Sequence, residues 1–328
     1  MRKKPRRDIY QEVTDKIIER LDQGTVPWQN PIKRGSGDGW PKNIQSGKNY
    51  RGINVFLLGM TAWEAGFSSD YWITFKQAKE RGGQVKKGEK SSLIIFWKQL
   101  DKEDLETGEE IKIPVLKHYN VFNVEQCDGI DIPDAPDEKP AEPFEPLGKA
   151  EAIVSGYNER PTIREEGSRA CYRPSTDEVF MPLATRFSDR ESYYSTLMHE
   201  LSHSTGHSKR LNRGLDTNLA PFGSPDYSKE ELVAEMSAAF LCATCGISPP
   251  TIDQSASYLD HWRKQLKGDK KLIIQAAGAA QKSADWILGT QFNQSSEKAD
   301  TTPTQQPVDQ KPKAVTPTTA ARTQLELF

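Results

Sequence analysis

Apolar residues return at helical spacing at Ile9, Val13, Ile17, Ile18 and Leu21, which predicts an amphipathic helix over 8–24 stopped by Gly24. A second helix is expected over 52–65, ending at Gly66. A short third is expected over 75–81, with Thr74 as its N-cap and Gly82-Gly83 as its breaker. The pattern then turns extended. Residues 92–98 and 113–122 read as two strands of a long hairpin across an acidic loop, 101–110. Residues 128–146 carry five prolines among acidic side chains and read as an extended linker. Beyond it the helical period resumes around 149–157. Short strands follow near 170–173 and 178–181, then an amphipathic run over 192–205 and an apolar helix opening at Glu230 and reaching Leu241. Two closing helices are expected over about 251–266 and 269–289. From there Ser, Thr, Gln, Pro and Lys dominate, a composition that cannot bury a core and predicts a disordered tail. The class is therefore α+β. It comprises an N-terminal α+β domain (1–127), a linker (128–146), a second domain (147–292) and a tail (293–328).

Charge divides the chain as well. The net charge of −2 hides an asymmetry: residues 1–100 hold 19 Lys and Arg against 10 Asp and Glu, and the remainder holds 25 against 36. A basic half points to a polyanion as partner. No apolar run approaches a membrane span, and the Met-Arg-Lys-Lys-Pro-Arg-Arg start lacks a signal-peptide core, so a cytoplasmic location without membrane contact is expected. Four cysteines are too few and too scattered for a disulfide framework. Cys242 and Cys245 read as buried thiols at the end of an apolar helix.

The sharpest chemistry is His199-Glu200-Leu201-Ser202-His203. On a helix, positions four apart share a face, so His199 and His203 can grip one ion, while Glu200 reaches the space beside it and can take a proton from water held there. This is the zincin pattern of metal-assisted hydrolysis, with Zn²⁺ or another divalent metal as cofactor. A metzincin would place a third His six residues on, where Lys209 stands, so that class is excluded. Downstream, Glu231-Leu232-Val233-Ala234-Glu235 resembles the Glu-x-x-Ala-acid element of gluzincins. The resemblance implies that Glu231 is the third ligand and that Glu235 orients His199 by a hydrogen bond, the exchange of the two roles staying open. Glu230 suits a charge that complements the helix dipole. His207 or Tyr227 is a candidate oxyanion or substrate contact, and His207 could instead cap its helix.

In the basic half, aromatics and cations interleave. Five of seven tryptophans fall between residues 28 and 97. Stacking rings beside phosphate-tracking cations is the chemistry of single-stranded nucleic acid binding without base readout. The candidates are Trp28, Lys48, Tyr50, Arg51, Trp72, Lys76, Lys86, Lys87 and Lys90, the last three on a loop read as flexible. Trp63 and Phe75 are expected in the core.

Several motifs occur in order: the Pro-flanked Trp28, Gly47-Lys48-Asn49-Tyr50-Arg51-Gly52-Ile53-Asn54, Trp72-Ile73-Thr74-Phe75-Lys76-Gln77-Ala78, Gly83 to Lys90, and Val121 to Cys127. Together they resemble the N-terminal domain of the ArdC antirestriction proteins of conjugative plasmids, shared with related plasmid primases. The second half resembles the zincin-like metallopeptidase domain that accompanies it. The resemblance covers 8–290 and implies non-specific binding of single-stranded DNA and protection of incoming plasmid DNA from host restriction. It does not imply the peptidase's protein substrate. The rival reading is a DNA-shielding protein whose metal site is structural or vestigial. Finally, Gln324-Leu325-Glu326-Leu327-Phe328 resembles the short peptide with which bacterial proteins dock on the replication sliding clamp. Gln324, Leu325, Leu327 and Phe328 are its candidate anchors.

Overall fold

A computed structural model describes residues 7–28, 40–103, 110–132, 146–217, 224–247 and 256–290. Helix α1 (Ile9–Asp22) starts on Asp8, whose carboxylate accepts the Gln11 amide, and it buries the apolar stripe read from the sequence. Strand β1 (Lys42–Asn43) precedes helix α2 (Ile53–Ala65), closed by Gly66 in the left-handed conformation that a C-terminal glycine permits. Strand β2 (Tyr71–Ile73) leads into helix α3 (Phe75–Glu80), begun by a Thr74–Gln77 capping box. Strand β3 (Gln84–Val85) is followed by the long hairpin β4 (Ser92–Glu103) and β5 (Glu110–Asn123), in register from Ser92 opposite Val121 to Glu103 opposite Glu110. Strand β6 (Cys127–Asp128) pairs with β3, while the main sheet runs β1-β2-β5-β4. The stretch 81–90 is therefore not a free loop, because β3 pins its middle. Gly83 lies so close to the β6 end that an added Cβ would fall 2.6 Å from the Asp128 carbonyl oxygen.

The second half opens with helix α4 (Pro146–Gly156) and a three-stranded sheet of β7 (Thr162–Glu165), β8 (Cys171–Arg173) and β9 (Glu178–Met181), in the order β7-β9-β8. Helices α5 (Arg190–Ser204), α6 (Pro225–Cys245), α7 (Ala256–Gly268) and α8 (Leu272–Leu288) complete it. Strand β7 lies outside the elements expected from sequence. Its Thr-Ile-Arg-Glu buries no side chain fully, so it carries no alternating pattern. Helix α6 begins at Pro225, five residues before the expected start, with Ser224 capping the Tyr227 amide and proline in the first turn.

The linker expected at 128–146 separates segments of sequence but not hydrophobic cores. Apolar residues of α1 and α2 share one cluster with those of α4 to α8, and residues 1–293 gather into one unit. Phe56 of α2 stacks on Phe240 of α6 with ring centroids 5.0 Å apart. Thr14 donates to the Lys270 carbonyl at 2.9 Å, and the Gly52 amide donates to Gln281 at 3.0 Å. Arg51 ion-pairs with Asp285. A smaller cluster, Tyr50, Leu58, Trp72, Ile94 and Val121, fills the space around the N-terminal sheet. All four cysteines are free, with Cys242 and Cys245 buried as expected. No helix among the described residues is long and apolar enough to cross a membrane. The expected tail and its anchors Gln324, Leu325, Leu327 and Phe328 lie outside the described residues, as does 133–145 of the expected linker.

Candidate metal centre

Asp189 caps α5 by accepting the Ser192 amide at 2.6 Å, and Leu197, Met198 and Leu201 turn one face of the helix into the core. That fixes its rotation and brings His199 and His203 to the face opposite α6. Their Nε2 atoms lie 3.1 Å apart. Glu231 of α6 completes the group, with Oε2 3.5 Å from His199 Nε2 and Oε1 3.7 Å from His203 Nε2. A tetrahedral ion with bonds of about 2.0–2.1 Å spaces its ligand atoms by about 3.3–3.4 Å. The donor set and spacing thus fit a divalent ion such as zinc. Of the two acids left open by the sequence, Glu231 and not Glu235 is the carboxylate that approaches both rings.

The field at this point favours cations. Burial alone would lower the His203 pKa, but the Glu230 and Glu231 carboxylates raise it to about 10. Burial would raise Glu231, yet its contacts with the two imidazoles hold it well below the usual carboxylate range. The side chain that backs His203 is one whose position in the sequence suggests only a helix-dipole role. Glu230 accepts from His203 Nδ1 at 3.3 Å, and both its oxygens are held by Arg213, at 2.8 and 2.6 Å. Arg213 in turn reaches Thr205 Oγ1 and the Ser202 carbonyl at the end of α5. Arg213, absent from the sequence reading, lies in the irregular stretch after α5, where no periodicity marks it.

Glu235 departs from its expected role. Its Oε2 accepts from the Trp28 indole at 2.8 Å and from the Tyr258 hydroxyl at 2.5 Å, and no bond to His199 forms among the described residues. Glu200 is buried, and its Oε2 accepts the backbone amide of Tyr172 on β8 at 2.8 Å. Tyr227 hydrogen-bonds Glu231. Burial and the Glu231 and Glu200 charges push its hydroxyl up to about 12, so it remains a donor at neutral pH. His207 lies in the turn after α5: its Nδ1 accepts the Lys209 amide at 3.1 Å, and its Nε2 lies 3.7 Å from Asp216.

The nucleic-acid candidates divide. Trp28, Tyr50 and Trp72 are buried in the two cores, so their faces cannot stack on bases. Apolar contact won over solvent exposure because each sits beside an apolar helix or strand from another part of the chain. Arg51 is engaged by Asp285. Lys48, Lys76, Lys86, Lys87 and Lys90 are exposed, the last three around a turn at Gly88, with Lys86 donating to the Glu125 carbonyl. The exposed rings are ones expected inside, Trp63 at 58% and Phe75 at 49%, together with Trp97 at 49%.

Two family models match the chain: the N-terminal domain of anti-restriction factor ArdC over residues 7–122, and a zincin-like metallopeptidase over 149–279. An uncharacterized protein, y4eC, of Sinorhizobium fredii is 36% identical over 87% of this chain and 92% of its own length. A DNA primase TraC of Escherichia coli is 36% identical over 90% of this chain, which spans only 28% of the primase. The crystal structure of the antirestriction ArdC protein from plasmid R388, metal-free, superposes with a TM-score of 0.69 at 40% identity, covering 87% of this chain and all of that one. Its Mn(II)-bound form matches at the same TM-score with 38% identity, over 86% of this chain and 98% of that one. Coverage of both halves, at these identities, places the chain in the ArdC antirestriction family.

Proposed function

We propose that this chain protects incoming plasmid DNA by joining non-specific binding of single-stranded DNA, in its basic N-terminal part, to a zinc-dependent peptidase site. The observation that carries the peptidase half is the convergence of two imidazole nitrogens and one carboxylate within 3.1–3.7 Å of one another. A bound divalent ion supplies Lewis acidity toward a scissile carbonyl and toward water. The chain's own groups do the rest. Glu200, anchored on Tyr172 through one oxygen, takes a proton with the other and hands it to the leaving amine. Tyr227 offers its hydroxyl to the developing oxyanion. Edge strand β8, adjoining Glu200, accepts an extended peptide along its backbone. In the DNA-binding half, Lys86, Lys87 and Lys90 track phosphates and the exposed rings supply stacking.

Glu200→Ala tests this reading. The variant should bind metal and single-stranded DNA as the wild type does, lose peptide hydrolysis by at least a hundredfold, and lose protection of transferred DNA in a restricting host. Protection that survives in full assigns the family activity to DNA shielding instead.

A further inference from the structure

The N-terminal half does more than adjoin the metal helix; it supplies a hydrogen bond to it. Trp28 is fully buried, edge-on to Trp262 of α7 with centroids 6.0 Å apart. Its indole Nε1 donates to Glu235, four residues beyond the ligand Glu231 on the same face of α6. Tyr258 of α7 donates to the same oxygen. A buried carboxylate one helical turn from a ligand must be satisfied, and here half of its satisfaction comes from a residue 207 positions earlier in the chain. Trp40, also from the N-terminal part, lies 6.1 Å from the Phe240 ring farther along α6. The N-terminal part therefore holds α6 at two points, by a hydrogen bond at Glu235 and by ring packing at Phe240.

We propose that Trp28 is a positioning residue of the metal centre: through Glu235 it fixes the turn of α6 that carries Glu231, so that the peptidase half binds its ion tightly only with the N-terminal half docked. This rests on the reading of His199, His203 and Glu231 as ligands. Removing the indole N–H leaves the carboxylate with one donor. Glu235 then shifts, α6 shifts with it, and the spacing of the three ligand atoms is lost. Outer partners of metal ligands commonly govern affinity by about 10–100-fold. Because coupling is reciprocal, metal must also hold Trp28 in place by the same factor.

The test is a titration of the full chain with Zn(II) in competition with a chelator. Trp28→Phe keeps an aromatic ring against Trp262 while removing the donor and some buried volume, whereas Tyr258→Phe removes a donor to the same oxygen at nearly constant shape. Each variant should bind at least tenfold more weakly than the wild type. A Trp28→Phe protein that melts earlier but binds Zn(II) within twofold of wild type makes the contact purely structural and overturns the inference. Wild-type chain needs no substitution for the second measurement: Zn(II) should slow hydrogen exchange at the Trp28 indole N–H by at least tenfold, and unchanged exchange overturns the inference equally. Wild-type protein that binds no Zn(II) fails the ligand assignment itself, a separate result.

Discussion

At the residue scale, the pairing of His199 and His203 is legible in the sequence because positions four apart on a helix share a face. Glu231 is legible through a second short motif. Glu230, Arg213 and Trp28 are not. Each acts through a partner brought up by the fold, and a glutamate in a helical sequence looks the same whether it faces solvent or an imidazole. Burial also overturns the choice of stacking rings. Neighbouring glycines and lysines make Trp28, Tyr50 and Trp72 look exposed, whereas tertiary packing buries them and leaves Trp63 and Phe75 outside. A further residue without sequence signal is Asp177, in left-handed backbone at φ 53, which holds Arg210 and the Tyr172 hydroxyl behind strand β8. Burial would raise its pKa, but the bonds from Arg210 and Tyr172 lower it on balance. A carboxylate depressed in the folded state stabilises above its unfolded pKa of about 3.9, and that contribution fades as pH falls through the folded value. Asn tolerates the same backbone conformation. Asp177→Asn should therefore be less stable than wild type near pH 7 in urea melts, with the difference shrinking below about pH 4. A difference independent of pH would contradict the ion pair.

At the element scale, helices with clear period and caps follow the sequence closely: α1, α2 and α3 lie within two residues of expectation. Helix α6 starts earlier than its periodicity suggests because the Ser224-Pro225 cap precedes the apolar run. That shift makes Glu230 look terminal in the sequence when it lies in the second turn. The docking of α2 on the hairpin hinges on a polar residue that no periodicity would place inside. Asn54 is buried and exchanges two hydrogen bonds with the backbone of Ile95, each 2.8 Å long. Replacing it by alanine strands a buried N–H and C=O, at about 1–3 kcal/mol each. Asn54→Ala should lower the melting temperature by about 3–10 °C without touching His199, His203 or Glu231. A variant with wild-type melting would show that this bond does not join α2 to β4.

At the scale of the whole molecule, the composition shift and the prolines at 128–146 mark two segments of sequence. They give no sign that α1 and α2 cross over to complete the core of the other half, since such contacts join residues about 180 to 260 positions apart. Arg51 belongs to this interface. Arg51→Met should destabilise the chain in thermal melts without changing the salt dependence of single-stranded DNA binding. Replacing Lys86, Lys87 and Lys90 together by alanine should do the reverse. For single strands the slope of log affinity against log salt changes by about 0.7 for each phosphate that is no longer neutralised. An unchanged slope in the triple variant would remove these lysines from the DNA surface.

One ion held by three side chains is the central claim. The direct measurement is metal stoichiometry and affinity for the purified full-length chain, by elemental analysis and Zn(II) titration, beside Glu231→Gln and Glu235→Gln. One ion per wild-type chain, lost in Glu231→Gln and retained at reduced affinity in Glu235→Gln, is the predicted result. No stoichiometric ion in the wild type, or a Glu231→Gln chain that binds it equally well, would contradict the assignment of the centre.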